Sequence, residues 1–176
     1  MGLVDALSGN ISHFNKVFVP AQNDIAKRIE NIKDPHLSIV FAGFLSLMAN
    51  RVIDYFFKPE QGNLIKVVKN YERRDADELL ITLIIWFWID LGNLGGLDRQ
   101  ESKATLAEIL NTPKQGLEEK IKRLEHSNVG ESEILWEQVS KVLKINRGAQ
   151  EGYLAFRIQL SKICKEAYLE MGRDLQ

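Results

Sequence analysis

Leu79–Leu91 reads LLITLIIWFWIDL, 13 residues of which only Thr82 and Asp90 are neither hydrocarbon nor aromatic. Successive side chains in an α-helix project about 100° apart, so Ile85, Trp86, Phe87, Trp88 and Ile89 point all the way round the axis. A helix that is apolar on every side has to be enclosed. A bilayer asks for about 20 apolar residues, and about 17 at the least. This run is shorter and is preceded by Asp77 and Glu78. Enclosure by protein is therefore the expectation. A second segment, Pro35 to Phe57, is apolar on most faces but is interrupted by Asn50, Arg51 and Asp54. A charge at mid-bilayer costs roughly 2.5–3.5 kcal/mol, so no transmembrane segment is expected there either. The two apolar helices are expected to sit side by side within a shell of amphipathic ones.

That shell is legible in the spacing of the remaining apolar residues. Leu3, Val4 and Leu7 form a weak segment, followed by Ile11, Phe14, Val17 and Phe18 as one helix or two turns. Ala21 to Lys33 places Ile25, Ile29 and Ile32 on a single stripe, and Asp34-Pro35 is a cap followed by proline at the first helical position. Pro59 closes the second helix, since the residue before proline resists helical geometry. Asn63 to Glu72 forms a further helix. Asp75 with Glu78, Asp98 with Glu101, and Thr112 with Gln115 each have the spacing of a capping box. These open helices over 76–91, to Leu110, and through Leu117, Ile121 and Leu124. Gly92 is expected to end the central helix. Glu131 to Arg147 aligns Ile134, Leu135, Val139, Val142 and Leu143. The last helix runs from about Gln150 to Met171 with Tyr153, Phe156, Leu160, Ile163, Cys164, Ala167 and Met171 on one face. Caps and hydrophobic period agree, which predicts an all-α bundle of seven or eight helices around one or two central apolar ones. A single domain over 1–176 is expected, with 92–98 as the place where it would divide.

The charges exclude a global attraction to nucleic acid: 23 basic and 24 acidic residues leave a formal charge of −1. One cysteine, Cys164, rules out an internal disulfide and suggests a reducing cytoplasm. The amino-terminal MGLVDALSGNISHF lacks a basic leader with a long apolar run, so no secretory signal is expected, and Ala6 stands where a myristoylation signal has a hydroxyl residue.

Candidate chemistry is sparse. Asp54 and Asp90 lie near the ends of apolar helices; Asp54 is three residues from Arg51, within reach on one face, and Asp90 is within reach of water at a helix end. His13, His36 and His126 are far apart, with no HExxH and no Glu-x-x-His pair, so no metal or cofactor is expected. The Gly92-Asn93-Leu94-Gly95-Gly96-Leu97 loop follows a helix rather than a strand and lacks the lysine and hydroxyl of a P-loop. It reads as a turn. Cys164 falls on an apolar face and reads as core. No catalytic residue is expected.

Leu106 to Val129, LAEILNTPKQGLEEKIKRLEHSNV, resembles the helix-turn-helix of winged-helix bacterial repressors. Ala107, Glu108, Leu110, Leu117, Ile121, Leu124 and Glu125 fall where that pattern has its residues, because two helices joined by a short turn meet through such positions. The resemblance implies DNA contact through Lys114, Gln115, Lys122 and Arg123. Asn128 replaces the pattern's glycine, and Glu118 and Glu119 beside Lys114 and Gln115 repel phosphate, so nucleic acid is the secondary partner.

The leading expectation is a non-catalytic interaction, scaffolding or regulatory protein, self-associating or binding another protein, with Trp86, Phe87, Trp88, Phe56 and Phe57 as core or interface. A third reading places a small apolar ligand in a pocket between the 35–57 and 76–91 helices.

Overall fold

The computed structural model describes residues 3–58, 72–126, 131–143 and 150–174, and these are helical with no strand among them. Helix α1 (Leu3–Glu30) is one 28-residue rod with Pro20 inside it, where the sequence suggests a break. Proline removes one backbone donor, yet Phe14, Val17, Phe18, Ala21, Ile25 and Ile29 are all buried across it. Packing of that unbroken stripe outweighs the lost bond.

Asp34 behaves as the sequence implies: its carboxylate accepts from the amides of His36 at 2.8 Å and Leu37 at 3.1 Å. It opens a second rod made of α2 (Pro35–Ile39), a π-helical segment (Val40–Ser46) and α3 (Leu47–Phe57). The π segment closes with Leu47 N–H donating to Ala42 O, five residues back. Lys58, before Pro59, is extended at φ −80° and ψ 123°. By length and composition Pro35–Phe57 is long and apolar enough to cross a bilayer, with a mean hydropathy of 1.5 over its best window, of which 44% is buried in the chain. The expected Asn63–Glu72 helix lies outside the described residues, its last position apart.

Helix α4 (Arg73–Asn93) is the axis of the molecule. Leu79, Leu80, Leu83, Ile84, Ile85, Phe87, Trp88 and Ile89 are buried all round it, against α1, α3, the π segment, α6 (Lys114–Glu125) and α7 (Glu131–Leu143). The helix starts three residues earlier than the capping pattern implies, with Glu72 in the cap position. Asp75 lies in its first turn and pairs with Lys141 of α7 at 3.1 Å instead of capping.

At the other end Gly95, not Gly92, is the terminating glycine. Its φ of +73° lets Gly96 N–H reach Leu91 O at 3.0 Å and Gly95 N–H reach Gly92 O at 3.1 Å. Gly92 has a different role: a Cβ there would lie 2.9 Å from the Arg99 stem. Arg99 in turn stacks over the Trp88 ring at 5.1 Å.

Helix α5 (Arg99–Ile109) has the Asp98 cap on Glu101 N–H at 2.8 Å. It ends like α4, with Asn111 at φ 48° in the glycine's place. The Thr112 cap is not formed; its hydroxyl donates to Leu110 O at 3.1 Å, and Pro113 takes the cap position of α6. Helix α8 (Gln150–Asp174) closes the molecule over α3, α4 and α7. Phe156 stacks on Phe56 at 5.1 Å and Trp136 at 5.4 Å.

Candidate functional site

The residues singled out for an interface divide unequally. Phe56, Phe57, Phe87 and Trp88 belong to the chain's own core, all four being buried against neighbouring helices. Trp86 alone is half-buried. The Trp88 N–H is satisfied inside, donating to Ser102 Oγ at 2.8 Å, and that hydroxyl donates to Asp98 O at 2.6 Å.

Trp86 and Phe87 form one wall of a cleft of about 320 Å³ between α4 and α8, with Asp90, Leu160, Ser161, Cys164 and Arg157 around it. The 35–57 and 73–93 helices meet directly through their buried side chains, so this cleft lies on another flank of α4 than the expected pocket. Leu160, Cys164 and Tyr168 recur every four residues on α8, which brings the Tyr168 hydroxyl to Asp90 Oδ2 at 2.7 Å. Burial, then the Asp90 charge, pushes the Cys164 thiol up to about 12. Burial, then the hydrogen bond to Asp90, pushes Tyr168 above its ordinary value. Both groups stay protonated near neutrality, and a protonated thiol is not a nucleophile. The cleft offers an aromatic wall, one carboxylate and one guanidinium.

The segment from Leu106 to Glu125 lies on α5 and α6, whose apolar residues Leu106, Ile109, Leu117, Ile121 and Leu124 are buried. Ion pairs Lys103–Glu118 and Arg99–Glu125 clamp them together. The Lys103 hydrogen bond and charge hold the Glu118 carboxyl below the usual carboxylate range. Lys114, Gln115, Lys122 and Arg123 are all exposed. Arg123 reaches Glu137 of α7 at 3.8 Å, and Lys122 lies close enough to Glu118 to lower its pKa. The described chain resumes after α6 as helix α7, where the resembling proteins have the strands of a wing.

His36 is exposed in the first turn of α2, and His126 ends α6 with Nδ1 3.3 Å from Lys122 O. Arg51 pairs with Glu170 at 2.7 Å, across to α8. Among the described residues no group of three His, Cys, Asp or Glu is placed to hold a metal.

Sequence reasoning missed two features. Trp136 is buried off the single stripe assigned to α7, because that helix is covered by both α4 and α8. The other is the uncovered flank of the α2–π–α3 rod. Ile39 is 60% and Leu47 41% exposed, Ala42 is exposed between them, and a Cβ on Gly43 would meet nothing within 4 Å. Apolar content alone gives no sign of which flank stays bare. Compared with known proteins, the chain matches no family model, no curated protein and no solved structure at a significant level.

Proposed function

We propose that this is a non-catalytic interaction protein, acting as a scaffold or regulator through protein–protein contacts in a reducing, cytoplasmic setting. The observation that carries the reading is the bare apolar flank of the Pro35–Phe57 rod. One exposed leucine means little on any protein surface. Here Ile39 and Leu47 flank Ala42 and the open Gly43 position on a helix otherwise committed to the core. Small residues between larger apolar ones let another helix approach closely, and a contiguous apolar surface marks an interface. Two copies meeting by a twofold axis satisfy this flank with no second component.

The reading also accounts for the polar groups, since the thiol, the phenol and the acids at helix ends serve folding contacts. Light scattering over a concentration series tests it. The native chain is expected to dimerise, and the Ile39→Lys/Leu47→Lys variant to remain monomeric with unchanged helical circular dichroism. A native chain that stays monomeric at the highest concentration, with dimerisation absent in both, removes self-association.

A further inference from the structure

A second surface has a different chemistry. The stretch of α8 from Leu154 to Leu169 buries Phe156, Leu160 and Ala167 on one side. At about 100° per residue, Leu154, Ile158 and Leu169 fall together on the opposite side, where they are 58%, 58% and 55% exposed. Along the axis Lys162 and Lys165 lie on this side between Ile158 and Leu169, and Arg157 lies along the other margin. All three cations are exposed. Arg157 lies over the Tyr153 ring at 5.8 Å and lines the cleft that also holds Asp90. Of the nearby acids, Glu166 lies one turn from Lys162 at the edge of this face, and Glu170 is taken by Arg51 at 2.7 Å. The face is held firmly from behind, by Tyr55 donating to Gln159 at 2.9 Å and by the Phe56–Phe156 stack.

We infer that this outer face of α8 docks on an anionic lipid surface. Lys162 and Lys165 make no ion pair among the described residues, and an anionic surface would supply their counter-charge. Lysine placed amid the apolar residues separates a lipid from a protein occupant: the centre of a protein interface is depleted of lysine, because the ammonium would lose its water. At a bilayer interface the apolar side chains enter the acyl boundary, while each lysine lays its methylenes along them and reaches the phosphates. This surface is separate from the Ile39–Leu47 flank, and the inference stands without self-association.

The test is co-sedimentation of the full chain with phosphatidylcholine vesicles and with vesicles containing phosphatidylglycerol, at low and high salt. Binding to the phosphatidylglycerol vesicles is expected, weakening as salt rises. Each juxtamembrane lysine contributes about five-fold to partition, so Lys162→Ala/Lys165→Ala should lower it about 25-fold. Leu154→Ser/Ile158→Ser should weaken it as well; all four positions are exposed, and circular dichroism confirms folding. Absence of vesicle binding, equal binding to both lipids, or full binding by the lysine variant overturns the inference. So does loss of self-association in the lysine variant without vesicle binding, which marks the face as a protein seam.

Discussion

The Cys164 thiol, the Tyr168 hydroxyl and the Asp90 carboxylate form a small polar group at the edge of the core, and their coupling has a measurable consequence. The thiol is raised from 9.0 to about 12, and the phenol is raised in the same direction. The unfolded chain ionises these groups first, so the folded state holds more protons as the pH climbs above about 9. Their contribution to stability is complete below that pH and is lost as the pH rises toward 12. Denaturation midpoints measured across alkaline pH are expected to fall over this window. Alkylation of Cys164 near neutrality is expected to be far slower than for an exposed cysteine. Asp90→Asn, which removes the neighbouring negative charge, should speed alkylation in the alkaline range. Reaction of the native thiol at the rate of a free one shows that the burial is not maintained in solution. The sequence places Cys164 on the inner side of α8 but gives no hint of Tyr168 meeting Asp90, 78 positions apart.

At the scale of the helix, ends were read with uneven success. Asp34 and Asp98 cap as the pattern implies. Asp75 and Thr112 have the same spacing but are drawn to Lys141 and to Leu110 O, competing partners that a local pattern does not contain. The sequence places the end of the central helix at Gly92. The positive φ belongs to Gly95, while Gly92 makes room for the Arg99 stem. Gly95→Ala is therefore expected to cost about 1–2 kcal/mol, the penalty of a left-handed conformation for a residue with a Cβ, measured by urea denaturation. A loss near zero shows that the turn rearranges freely. The fusion of two expected segments into α1 was not legible, because Pro20 signals a break locally and only the continuous buried stripe overrides it.

For the whole molecule, the all-helical architecture and the central place of α4 followed from the sequence, since a helix with no polar side has only one kind of environment in folded protein. The way the last helix is fastened did not. Phe156 joins Phe56 and Trp136, so one ring ties α8 to both α3 and α7. Phe156→Ala is expected to cost about 3–5 kcal/mol through the lost burial and the cavity left behind. Thermal or urea unfolding measures it, and a loss below about 1 kcal/mol shows α8 to be loosely attached.

The position of α4 also constrains how the chain is made. Its partners α1 and α3 precede it, but α6 and α7 are synthesised afterwards. While the ribosome is still elongating, one side of a tryptophan-bearing rod has no cover. Such a nascent intermediate is prone to stick to other chains, so holdase chaperones have their clearest target here in the interval between emergence of α4 and arrival of α7.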